Sequence, residues 1–136
     1  MKAYERFLKY VTVWTSSDED STTVPTTKRQ LDLGNLLVEE MNELGLSDVK
    51  IDEYGYVYGY LSATEGMEEV PALALIAHMD TAPDYSGCGV KPQIIPDYNG
   101  EDVALGTSGK VLSVRDFPRL KTYKGRTLIT TDGTTL

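Results

Sequence analysis

The sequence predicts an α/β fold: a partial three-layer α/β/α domain around a mixed, largely parallel central sheet. Three observations predict it. Two segments carry apolar residues at helical spacing, several short segments alternate with period two, and residues 72–77 are apolar on both faces, as expected of a strand covered by helices on both sides. A length of 136 residues suits one domain.

The elements follow in order. Ala3, Phe7, Leu8, Val11 and Trp14 recur at helical spacing, which predicts an amphipathic helix over residues 3–14. Residues 15–26 are polar and contain Pro25, so they form a loop. Thr27-Lys28-Arg29-Gln30 has the form of a capping box, with Gln30 reaching back to the cap. Leu33, Leu37, Met41 and Leu44 form the buried stripe of that second helix, and Gly45 ends it in a left-handed conformation. Val49 and Ile51 alternate with Lys50 and Asp52 as a strand. Tyr54, Tyr56, Tyr58 and Tyr60 alternate with Gly55, Val57, Gly59 and Leu61, placing four tyrosines on one face of the next strand. Residues 62–69 are an acidic connection before the apolar segment 72–77. Beyond Asp84, glycines and prolines imply an irregular excursion, with strand signals at residues 90–95 and 127–130. No repeat or heptad is present. The last residues lie just past a strand, where a layered fold calls for more helices, so the sequence reads as cut rather than finished.

Charge excludes several classes of function. Thirteen Lys and Arg face 21 Asp and Glu, a net charge of −8, which opposes nucleic-acid or anionic-membrane binding. Hydrophobic residues make up 40% and charged residues 25%, near globular averages, which excludes disorder. The single cysteine, Cys88, cannot form an internal disulfide. The charged amino terminus is not a signal peptide, and residues 70–77 are too few to span a bilayer, so the expected location is cytoplasmic.

The sole histidine, His78, follows the apolar segment in Ala77-His78-Met79-Asp80-Thr81. Ligands of open α/β sheets collect beyond the carboxyl ends of strands. Residues 78 and 80 share a face of an extended chain, so the pair suits a metal-ligating imidazole beside a carboxylate that orients it. The bland alternative is a His and an Asp that simply cap a strand end. One histidine also cannot make a zinc site, which takes three or four protein ligands.

The stretch from Ile76 to Gly87, IAHMDTAPDYSG, resembles the first metal-binding segment of the peptidase T family. These are tripeptide aminopeptidases of the dinuclear zinc peptidase superfamily that includes aminoacylase and carboxypeptidase G. The similarity extends to Val90-Lys91-Pro92-Gln93-Ile94-Ile95, to Asp102-Val103-Ala104-Leu105-Gly106, to residues 127–136 and to the opening helix. The resemblance implies a zinc ligand at His78 and a catalytic aspartate at Asp80. It further implies two zinc ions activating a bridging water, with a glutamate as proton carrier and tripeptides as substrates. The metal-bridging aspartate, the glutamates, the remaining ligands and the lid or dimerisation domain of the family match nothing in residues 1–136. The resemblance therefore implies the N-terminal third of a zinc-peptidase catalytic domain, inactive alone and weak in zinc binding.

Other features have plainer explanations. The tyrosine face could stack bases or sugars, but packing against a helix or partner chain fits an acidic protein better; exposed, it would promote self-association. A non-enzymatic α/β module that binds a partner through this face is the rival reading. Asp18-Glu19-Asp20 lacks the spacing of a calcium loop. Cys88 has no local basic partner other than Lys91, and no histidine or helix terminus to activate it. Gly106-Thr107-Ser108-Gly109-Lys110 lacks the first glycine and the Ser or Thr of a phosphate loop, and is expected to be a surface turn.

Overall fold

A computed structural model describes residues 1–135. Its contacts divide the chain into two compact units, Trp14–Pro83 and Met1–Val13 with Asp84–Leu136. The protein is α/β, with short strands in three two-stranded antiparallel sheets.

In the Trp14–Pro83 unit, helix α2 (Gln30–Glu43) packs beneath a hairpin of β1 (Ser47–Ile51) and β2 (Val57–Tyr60). The predicted cap is built differently. The Thr27 hydroxyl donates to the Ser16 carbonyl at 3.1 Å, and Gln30 Nε2 reaches the Thr26 hydroxyl at 3.1 Å. Leu33 is buried and Leu44 is 55% exposed, so the apolar stripe fades toward the helix end. Gly45 adopts φ +80°, as predicted, and the Leu46 amide returns to the Met41 carbonyl. Asp52 builds the hairpin turn: its Oδ1 accepts the Tyr54 and Tyr56 amides at 3.0 and 2.9 Å.

Two glycines let the hairpin lie on the helix. A Cβ at Gly34 would stand 2.6 Å from Ile51 Cδ1, and one at Gly59 would stand 2.8 Å from Leu46 Cδ2 and 3.0 Å from Met41 Sδ. The Gly-Val-Gly face therefore turns to the helix, and Tyr54, Tyr56, Tyr58 and Tyr60 remain 47–60% exposed. Of the two packings expected for the tyrosines, on a helix or on a partner chain, the helix is thereby excluded. A face of two glycines and a valine approaches a helix more closely than four phenol rings can.

The other unit contains α1 (Ala3–Tyr10), β3 (Pro92–Ile95), β4 (Val103–Ala104), β5 (Val111–Leu112), a 3-10 helix at Pro118–Tyr123 and β6 (Leu128–Thr131). Helix α1 is shorter than predicted. Thr12 turns its hydroxyl back to the Lys9 carbonyl at 2.7 Å, and the β-branched run Val11-Thr12-Val13 propagates a helix poorly. β3 pairs with β6 from Pro92↔Thr131 to Ile95↔Leu128. The core of this unit is Tyr98, Val103 and Leu120, with Ile95, Leu105, Leu112, Val114, Tyr123 and Leu128 packed against it. Tyr98 is 2% exposed and its hydroxyl donates to the Glu101 carbonyl; burial, and then the charges of Asp102 and Glu101, push that hydroxyl above its usual range. Residues 105–110 are the β4–β5 hairpin turn, closed by the Leu105 amide on the Lys110 carbonyl at 2.9 Å.

The largely parallel sheet expected from sequence is not formed among the described residues. Residues 71–80 belong to no strand, and Leu73, Leu75 and Ile76 are 84%, 90% and 96% exposed. Every ladder of the described residues is antiparallel, and the one isolated bridge, Ser16↔Thr81, is parallel. An interior strand needs a neighbour on each edge and a layer on each face, and residues 72–77 have neither in their unit.

Two predictions follow from this packing. Gly34→Val places branched methyls against Ile51 and should cost about 1–3 kcal/mol, read as a lower urea midpoint; an unchanged midpoint would show that the helix–hairpin contact is loose. Asp132 accepts the Thr134 hydroxyl at 2.5 Å and the Thr134 amide at 3.0 Å, and these bonds, with Lys91 at 3.8 Å, hold its carboxyl below the usual range. Stability from this lowered carboxyl is present above the unfolded pKa of about 3.9 and is lost as pH falls through the folded value. Thr134→Val should raise the Asp132 pKa in an NMR titration and shift acid unfolding to higher pH.

Candidate functional site

His78 and Asp80 are carried on an arm outside any strand that ends at the Thr81 bridge. Their side chains meet, with His78 Nδ1 3.0 Å from Asp80 Oδ1. An ionised carboxylate only accepts hydrogen bonds, so Nδ1 carries the proton and donates it. The Nε2 lone pair is then left free on a ring that is 84% exposed, while the Asp80 side chain is 43% exposed. A carboxylate on Nδ1 orients the ring and selects its tautomer, an arrangement suited to a metal-ligating imidazole.

The arm is anchored where it ends. The Thr81 carbonyl accepts the Ser17 amide at 2.9 Å and the Ser17 hydroxyl at 3.1 Å. The Thr81 amide donates to the Thr15 carbonyl at 3.4 Å, and the Ser16 and Thr81 hydroxyls meet at 3.0 Å. Thr15 and Ser16 are 4% and 6% exposed, an unusual degree of burial for a loop rich in Ser, Thr and Asp. The Ser16 carbonyl also receives Thr27 Oγ1 and Arg29 Nε at 3.1 and 3.0 Å. These anchors lie 64 to 66 residues from Thr81 in sequence, and no local pattern announces them.

Among the described residues, no three or more His, Cys, Asp or Glu side chains cluster to hold a metal ion. One imidazole and its orienting carboxylate are too few for zinc, so His78 and Asp80 alone do not make a zinc site. Two open surface depressions among the described residues do not involve the pair. One is lined by Asp48, Lys50, Asp52, Tyr58, Gly59 and Tyr60, the other by Gly100, Glu101, Asp102, Val114 and Lys121. Cys88 is exposed and unpaired with any cysteine, and Asp18-Glu19-Asp20 belongs to a loop in which Asp18 accepts the Asp20 amide. The final matched residue, Leu136, lies outside the described residues. No helix among them is long and apolar enough to cross a membrane.

No protein-family model matches the chain. Curated sequences do. The chain is 56% identical over 133 residues to peptidase T of Clostridium acetobutylicum, covering 97% of the chain and 32% of that protein. It is 54% identical over 136 residues to peptidase T of Caldanaerobacter subterraneus subsp. tengcongensis, covering 99% of the chain and 33% of that protein. Peptidase T of Aliivibrio fischeri is 54% identical over 132 residues, with 97% of the chain and 32% of that protein covered. The chain thus spans about a third of the length of the curated relatives it matches, and on that similarity it belongs to the peptidase T family.

Proposed function

We propose that this chain is the N-terminal part of the catalytic domain of a zinc-dependent aminopeptidase that releases the N-terminal residue from tripeptides. The observation that carries the reading is the His78–Asp80 hydrogen bond of 3.0 Å, which leaves Nε2 open at the end of an apolar arm, in a chain that matches peptidase T sequences. His78 is a zinc ligand through Nε2. Asp80 is the catalytic aspartate, holding the ring and its tautomer. The other ligands and the proton carrier belong to the two-thirds of the family's length that this chain does not span. The acidic balance suits a peptide's amino end and a cytoplasmic setting.

Residues 72–77 take the place of an interior, parallel strand in a three-layer α/β/α domain. Support comes from their apolar sequence, their exposure of 84–96% at Leu73, Leu75 and Ile76, and the parallel bridge at Thr81. Fully burying each of these three side chains stabilises by about 1.5–3 kcal/mol, enough to hold further strands in register. The tyrosine face, with Tyr56 and Tyr58 rings 6.5 Å apart and Lys50 over Tyr58 at 5.6 Å, supports the second reading, a partner-binding surface.

Two measurements test the proposal. His78 is the sole histidine, so a two-bond proton–nitrogen spectrum of the labelled chain at alkaline pH shows one imidazole. The proton should be on Nδ1, and Asp80→Ala should move it toward Nε2; an unmoved proton would remove Asp80 from its role. The chain alone should bind zinc weakly, release no residue from a tripeptide, and exchange the amides of residues 72–77 rapidly. Mixed with the remaining polypeptide of the Clostridium acetobutylicum relative, it should gain amide protection and turnover. Turnover by the chain alone would refute the proposal.

A further inference from the structure

We propose that Arg29 is a positioning residue for the His78–Asp80 pair, acting through Ser16 and Thr81. The inference rests on the reading of that pair as the functional one. Arg29 holds the loop before α2 in two ways: its guanidinium carbon lies 3.8 Å from the centroid of the Trp14 ring, and its Nε donates to the Ser16 carbonyl at 3.0 Å. With Thr27 Oγ1 on the same oxygen at 3.1 Å, both lone pairs of that carbonyl are used. The plane of the 16–17 peptide is therefore set from the helix side.

The loop in turn sets Thr81. Residues 15–17 bind its amide, its carbonyl and its hydroxyl. Asp80 is joined to Thr81 by a planar peptide, so fixing the Thr81 amide fixes the Asp80 carbonyl and narrows the directions open to the Asp80 side chain. Upstream, residues 71–80 form no ladder among the described residues, and residues 71–78 are exposed. The Thr81 anchor is thus where the pair gains its orientation, and Arg29 is the long side chain that locks the anchor. Lysine cannot replace it, because an ammonium supplies neither the planar stack nor a donor at Nε.

The test reads His78 nitrogen shifts and tautomer at alkaline pH in the full 136-residue chain, with circular dichroism and urea unfolding alongside. The variants are Arg29→Ala, Arg29→Lys, Lys28→Ala and Asp80→Ala. The expected result is that Asp80→Ala shifts the His78 signals and that both Arg29 variants move them in the same direction. Lys28→Ala, on the same turn, should leave them in place. If Arg29→Ala unfolds the chain, Arg29→Lys decides. An Arg29 variant that lowers stability while His78 in the folded chain keeps its parental signals would show a merely structural residue and overturn the proposal. So would an Arg29→Lys variant identical to the parent. If Asp80→Ala itself leaves His78 unmoved, the reading of the pair fails and the positioning role with it; if only the Arg29 variants leave it unmoved, the positioning role alone fails.

Discussion

An apolar strand can leave water only if its backbone amides and carbonyls find a ladder at the same time as its side chains find a cover. Residues 72–77 meet neither condition within the Trp14–Pro83 unit, and most of what is distinctive in the structure follows from this. Leu73, Leu75 and Ile76 stay in solvent, the arm they form is held at its Thr81 end, and the hydrogen-bonded His78 and Asp80 are at that held end. Elsewhere the strands of the described residues find partners. β1 closes on β2, β3 on β6 and β4 on β5, and each pair needs only its own partner.

The contrast explains which parts of the fold were legible in the sequence. Helix α2, its Gly45 stop and the strands at residues 47–51, 57–60, 92–95 and 128–131 were readable because propensity, period and turn chemistry agree within a few residues. The β4–β5 hairpin was not, since two residues per strand carry no period. The tyrosine face was seen as a face, but the helix offered as one of its two neighbours lies on the other side. Alternation says that two sides differ, and only the small volume of Gly34, Gly55 and Gly59 says which side comes close to a helix. The apolar pattern of residues 72–77 describes an interior strand, but a pattern states what a segment needs and cannot supply the strands that meet the need.

The site divides along the same line. His78 and Asp80 were visible because an i, i+2 pair after an apolar run is a local signal, and the observed hydrogen bond joins residues two apart. The anchor was invisible: Ser16 and Ser17 reach Thr81 across a long separation, and Arg29 reaches Ser16, through polar residues that in sequence look like an ordinary loop. What distinguishes them is burial, with Thr15 and Ser16 almost closed from solvent, and burial is a property of the fold.

This division has a chemical logic. Tautomer is settled by whichever acceptor faces Nδ1, and a neighbour in sequence can provide one wherever the chain happens to be. Direction is different, because a ligand lone pair is useful only when it points at a place other ligands also reach. A segment free on its upstream side cannot set direction by itself, so direction must come from an element with its own packed core. Here that element is the helix–hairpin layer, whose face carries Arg29 one residue before α2 begins, and whose glycine contacts hold it against β1 and β2. On the proposed reading, the imidazole takes its tautomer from Asp80 and its direction, through Ser16 and Thr81, from the start of α2.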